Sequence, residues 1–253
     1  MRIARVQSGD VVSYARLEGA RARLFDRAPW LGGAETGVEV DFTAGMLRAP
    51  VEPRKVLCVG RNYAAHAKEL GNEVPKEPLL FLKPSSSIVG PGGAIELPPE
   101  SARVEHEAEL GVVIGARCKR ASPAEAMRFV YGYTAVCDVT ARDLQKSDGQ
   151  WSRAKGFDGF CPVGPWVETA LDPRDVRVAC RVNGATRQDG RTSAMVFDVA
   201  KLVSYMSHAM TLEPGDLLVT GTPEGVGPLA AGDALEVEIE GVGVLAVTVR
   251  APS

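Results

Sequence analysis

The apolar residues of this chain fall in short runs cut by glycine and proline, and only three stretches carry helical spacing. Strand follows strand too closely, and helices are too few, for a doubly wound parallel sheet. The pattern predicts an α+β, mainly β architecture. One helix is predicted from Asn62 to a stop at Gly71-Asn72. A second starts at Ser122-Pro123, where Glu125 completes a capping box. A third starts at Asp198, and its apolar stripe is Val199, Leu202, Val203, Met206 and Met210. LLVTGT, at 217–222, reads as a strand after the turn Glu213-Pro214-Gly215-Asp216. The tail DALEVEIEGVGVLAVTVRA reads as a hairpin turning at Glu240-Gly241-Val242-Gly243.

At 253 residues the chain can bury a substantial core. Residues 1–50 read as short strands with a tight turn at Ser8-Gly9-Asp10 and a break in APWLGGAETG, which predicts a small N-terminal β cap. Residues 51–253 make up the main domain. The charge balance is 29 Lys+Arg against 32 Asp+Glu, net −3. It supplies no basic field for nucleic acid or an anionic membrane. No apolar run approaches the ~18 residues of a membrane span, and MRIARVQSGDVV lacks a signal-peptide core. A soluble, cytoplasmic protein is expected. Cys58, Cys118, Cys137, Cys161 and Cys180 form no Cys-x-x-Cys pair and read as reduced core residues.

Chemistry concentrates in HEAELGVVIGARC. On a strand, Glu107 and Glu109 project from one face while Ala108 and Leu110 take the other. Asp138 lies in a second apolar run, YTAVCDVTARD, where burying a carboxylate unpaired is costly. Three such carboxylates suit one hard divalent cation. Spacing alone does not define a site, because Glu236, Glu238 and Glu240 alternate in the same way and read as the solvated face of an edge or surface strand. Other residues strengthen the case. His66 and Glu69, three apart on the first helix, can pair so that the carboxylate fixes one imidazole nitrogen and leaves the other as a base. The polar, proline-containing NEVPKEP after that helix suits a lid. Lys155, among glycines and aromatics, is a candidate cation for a substrate carboxylate or oxyanion. TGTPEGVG offers hydroxyls and backbone N–H groups as a nest for an anion. His106 and His208 read as structural.

In order along the chain, GRNYAAHAKEL, FLKPSSSIVG, HEAELGVVIG, DVTARDLQ, KGFDGFCPVGPW, NGATRQDGRTSAMVFDV and LLVTGTPEGVG closely resemble the fumarylacetoacetate hydrolase superfamily, from about Val51 onward. The resemblance implies a mixed β-sandwich roll, a homodimer, and Mg²⁺ or Mn²⁺ on Glu107, Glu109 and Asp138. It places the lid dyad on His66 and Glu69, the cationic residue on Lys155, and substrate contacts on Arg142, Gln145 and Thr222. GRNYAAHAKEL and HEAELGVVIGARC are most like the acylpyruvase and oxaloacetate decarboxylase branch. The N-terminal cap is like that of 2-hydroxyhepta-2,4-diene-1,7-dioate isomerases and fumarylpyruvate hydrolases.

Cleaving an acylpyruvate between C3 and C4, or losing CO₂ from oxaloacetate, leaves the same pyruvate enolate, whose charge a divalent cation stabilises. The expected activity is therefore metal-dependent hydrolysis or decarboxylation of 2-oxo acids. A dienoate isomerase and a non-catalytic binding module on the same scaffold are the alternatives. Arg61, Lys83 and Arg142 are the candidate cations for a second carboxylate on a diacid substrate.

Overall fold

Apart from Glu109 the strand Ala108–Ile114 carries no charge, and the fold buries it on both faces. Leu110, Val112 and Ile114 point into the larger core, while Val113 points into a second one with Val56, Val136 and Leu217. A computed structural model describes residues 1–252; Ser253, the last residue of the expected main domain, lies outside the described residues.

This strand lies within a 12-stranded sheet. Antiparallel neighbours are Val130–Cys137 on one side and Leu217–Val219 on the other. Leu217–Val219 pairs in parallel with Val56–Gly60, which carries Leu79–Lys83 at the end of the sheet. On the far side Val130–Cys137 pairs with Cys161–Glu168, and that strand accepts Arg2–Ser8 with Ile3 opposite Val167. The sheet of the first fifty residues is thus continuous with that of the rest. A 5-stranded sheet faces the larger one. Its inward residues Val178, Cys180, Leu235, Val237 and Leu245 complete the main core. The result is the expected mainly β roll of packed sheets.

Local expectations meet tertiary constraints at several points. The first helix spans only Ala64–Glu69. Arg61 takes a left-handed φ of 58° and Tyr63 is extended against Met195, because the Asn62 side chain is bound to backbone elsewhere. The capping box of Ser122 and Glu125 forms, on a helix of four residues, Pro123–Ala126. Asp198 caps Val199–Ala209 by accepting from the Lys201 N–H at 2.8 Å, and the apolar stripe is buried from Val199 to Met206. The hairpin pairs Ala234–Ile239 with Gly243–Arg250. Ala234–Ile239 is not an edge: Arg177–Val182 flanks it, and Arg181 bonds Glu236 and Glu238 at 2.7 and 2.6 Å. All five cysteines are free and buried. Among the described residues no helix is long and apolar enough to cross a membrane.

Candidate metal centre and active site

Two adjacent strands and the residues at their ends deliver the acids: Glu109 lies within Ala108–Ile114, Glu107 just before it, and Asp138 just after Val130–Cys137. Ala108 lies opposite Cys137, and the Asp138 N–H donates to the Glu107 carbonyl at 2.8 Å. This brings Asp138 beside the two glutamates, and ligand oxygens of Glu107, Glu109 and Asp138 all lie within 4.8 Å of one another. All three residues are buried.

Cations surround part of the cluster. Lys155 Nζ bridges Glu107 at 2.9 Å and Asp138 at 2.6 Å. Lys83, buried at the end of its strand, donates to Asp138 at 2.7 Å and to the Val139 carbonyl at 3.2 Å. Arg142 donates to Glu105 at 2.7 Å and also to Glu107 and Gln145. The electrostatics follow. Burial pushes the Glu107 carboxyl up, but Lys155 and Arg142 outweigh it and hold Glu107 well below the usual carboxylate range. Burial pushes Lys155 down, and Asp138 and Glu107 more than reverse this. Glu109 has no such partner. It accepts the Gly221 N–H, and no cation among the described residues lies within ion-pair distance. Burial, then the charges of Asp138 and Glu107, drive its carboxyl well above the ordinary range. Beside it the buried Tyr63 hydroxyl has no hydrogen-bond partner. A hard, all-oxygen donor set with unrelieved repulsion centred on Glu109 fits a divalent cation such as Mg²⁺ or Mn²⁺.

The lid helix is anchored at its start. Asn62 donates to the carbonyls of Thr220 at 2.7 Å and Phe197 at 3.0 Å, and accepts the Phe197 N–H at 2.8 Å. At the other end Glu69 lies 3.3 Å from His66 Nδ1 and accepts the Gly225 N–H. The nest expected to receive an anionic ligand therefore holds the protein's own carboxylates: Gly221 serves Glu109 and Gly225 serves Glu69. The Gly221 N–H is taken by the core strand Ala108–Ile114 and the Gly225 N–H by the end of the first helix.

Between the first helix and the acids lies a narrow cleft lined by Glu107, Asp138, Lys155, Arg142 and His66 together with Val59, Leu70, Phe81 and Trp151. Arg61, Gln145 and Thr222 also line it. Glu69 and Glu109 stand behind this lining, joined to it through His66 and the triad. Thr222 Oγ1 donates to the Ala108 carbonyl at 2.9 Å. Lys83, considered for a distal substrate carboxylate, is instead bound to Asp138. His106 is buried with Nδ1 3.1 Å from Gln188 Oε1, and burial lowers its basicity against that hydrogen bond. His208 is exposed.

Three contributors were not singled out from sequence. Glu105 holds both Arg142 and Arg103, and its alternation with Glu107 and Glu109 was the visible signal. Asn62 and Gln188 carry no such signal, since their partners are distant in sequence.

The motif order, the buried triad and the lid dyad coincide with a match of the Fumarylacetoacetate (FAA) hydrolase C-terminal family model over residues 55–250. The chain belongs to the fumarylacetoacetate hydrolase family. Residues 1–50 match the Rv2993c-like, N-terminal model. A mitochondrial oxaloacetate decarboxylase of Dictyostelium discoideum is 46% identical over 75% of this chain and 90% of its own length. The structure of a 2-hydroxyhepta-2,4-diene-1,7-dioate isomerase from Mycobacterium marinum is 45% identical with a TM-score of 0.91, covering 99% of this chain and 98% of that one. Fumarylpyruvate hydrolase from Pseudomonas aeruginosa, in complex with Mn²⁺ and pyruvate, is 36% identical with a TM-score of 0.76, covering 79% of this chain and 91% of that one. These members of the family are enzymes, and their names span a decarboxylase, an isomerase and a hydrolase.

Proposed function

We propose that this chain is a divalent-metal-dependent hydrolase or decarboxylase of acylpyruvate-like 2-oxo acids, acting in the cytoplasm as a homodimer. The observation that carries the reading is one cleft lined by two acids of the carboxylate triad, by Lys155 and by His66, with Glu69 behind the imidazole. A cation bound at Glu107, Glu109 and Asp138 supplies Lewis acidity toward the carboxylate and keto oxygens of a 2-oxo acid.

The protein's own groups do the rest. Glu69 engages His66 Nδ1, so the other ring nitrogen is available to take a proton from water. That water adds to the distal carbonyl, the C3–C4 bond breaks with its electron pair going to C3, C3 takes up a proton, and a carboxylate and pyruvate are the products. Lys155 and Arg142 place positive charge beside the substrate's developing negative charge. Arg61, Gln145 and Thr222 orient the bound acid. Decarboxylation of oxaloacetate uses the same site without an attacking water.

The test is turnover of acetylpyruvate and oxaloacetate by metal-stripped protein, before and after adding Mg²⁺ or Mn²⁺. The expected result is metal-dependent release of acetate or CO₂, with His66→Ala losing acetylpyruvate hydrolysis while still binding metal. Full hydrolysis by that variant removes His66 as the base. A second reading is supported by the nearly full-length likeness to the diene-dioate isomerase. It shifts a proton from one site to another without cleaving a C–C bond, so mass spectrometry would show product and substrate of equal mass.

A further inference from the structure

Gln188 lies on the strand Ala185–Arg191, outside the cleft lining, and is buried. Its carboxamide makes every hydrogen bond available to it. Oε1 accepts the Ala108 N–H at 3.0 Å and faces His106 Nδ1 at 3.1 Å. Nε2 donates to Thr222 Oγ1 at 2.7 Å and to the Pro223 carbonyl at 2.8 Å. The amide's orientation is dictated by its backbone partners, since the Ala108 N–H can only donate and the Pro223 carbonyl can only accept. His106 must then carry its proton on Nδ1.

The partners are those that matter to the site. Ala108 is the residue between Glu107 and Glu109. Thr222 faces the cleft, and Pro223 lies between the N–H groups of Gly221 and Gly225 that hold Glu109 and Glu69. A closed ring results: Ala108 N–H to Gln188, Gln188 to Thr222, and the Thr222 hydroxyl back to the Ala108 carbonyl at 2.9 Å. With one lone pair filled by Gln188 and its proton on Ala108, the hydroxyl's direction is set from outside the cleft.

We infer that Gln188 is a positioning residue that locks the Ala108 peptide between the two glutamates and fixes the Thr222 hydroxyl, coupling metal affinity to ligand orientation. The inference rests on the metal reading above. Partners standing behind metal ligands typically carry 10–100-fold in affinity.

The experiment measures Mn²⁺ affinity by calorimetry, and then pyruvate affinity at saturating Mn²⁺, for wild type, Gln188→Met and Gln188→Glu. Gln188→Met removes all four bonds, and Gln188→Glu keeps the accepted pair but loses the donated pair. The expected result is about tenfold weaker Mn²⁺ binding in Gln188→Met, with weaker pyruvate binding in both variants. A brace that only supports the core would lower the melting temperature and leave both affinities within twofold of wild type, which overturns the inference. Should Gln188→Met not fold, the pyruvate affinity of Gln188→Glu decides. Wild type that binds no Mn²⁺ refutes the metal reading itself, whereas wild-type binding with unchanged variants refutes only the role of Gln188.

Discussion

The Glu69 carboxylate accepts the Gly225 N–H at 3.1 Å, closing the lid onto the turn whose Gly221 N–H holds Glu109. The same carboxylate lies 3.3 Å from His66 Nδ1. One side chain thus ties the first helix to that turn and engages the imidazole proposed as the base. Glu69→Ala should lower acetylpyruvate hydrolysis roughly 100-fold, in the range of a lost general base, and affect oxaloacetate decarboxylation far less. Glu69→Gln, which still offers Gly225 an acceptor, should fall between. Steady-state kinetics on both substrates decide; equal losses on the two would reject a role specific to water activation.

Lys83 is 2% exposed and has Asp138 as its ion-pair partner. Replacing it with methionine leaves Asp138 paired only with Lys155. Breaking a buried pair of this kind costs about 3–5 kcal/mol. Urea unfolding of metal-free Lys83→Met should show a loss of that order, and saturating Mn²⁺ should recover part of it because the cation binds only the folded site. An unchanged midpoint would show that Lys83 is dispensable to the apo site.

Much of this arrangement was legible in the chain, and the limits have physical causes. Alternation groups Glu107 with Glu109, although Glu107 falls just before the strand Ala108–Ile114, and the apolar run around Asp138 marks it as a third acid, which the pairing of Ala108 with Cys137 brings alongside. The cap of Asp198 and the capping box of Ser122 are local hydrogen bonds between residues three apart, so sequence shows them directly. The short helices Arg142–Ser147 and Ser152–Gly156 were not visible. Neither completes two turns, and periodicity needs more. Gln188 meets Ala108 across 80 residues of sequence, a contact created only when the sheets pack. Lys83 reads as a cation, but its partner Asp138 follows a strand that is not its neighbour in the sheet, so the pair exists only once the roll has formed. The nest was recognised as anion-binding, yet its anions proved to be Glu109 and Glu69.

Gly60 has a role that only close packing reveals. A Cβ there would lie 2.7 Å from Trp151 Cζ3 and 3.0 Å from Cη2. Trp151 in turn meets Phe81 edge-on at 5.2 Å, and Lys155 Nζ lies 5.0 Å from the Phe81 ring centre. Gly60→Ala should therefore push the indole into the cleft, with an overpacking cost of about 1–3 kcal/mol. The expected signature is a raised KM for acylpyruvates with metal affinity unchanged. Wild-type KM in a folded variant would show that the indole moves aside without narrowing the cleft.

Glu168 ties the first strand to the central sheet, and its titration should be visible in stability. It accepts from the Met1 ammonium at 2.5 Å and from the Ala170 N–H at 2.9 Å. Burial pushes the carboxyl up, but these hydrogen bonds outweigh it and hold the group below its ordinary 4.5. The folded chain therefore binds this proton less readily than the unfolded chain. Its contribution is complete above the unfolded value and disappears as pH falls through the folded one. Between about pH 5 and pH 3 the unfolding free energy of wild type should decline more steeply than that of Glu168→Gln, which cannot titrate there. Denaturant unfolding at several pH values tests this, and parallel curves for the two proteins would show that Glu168 does not contribute to acid sensitivity.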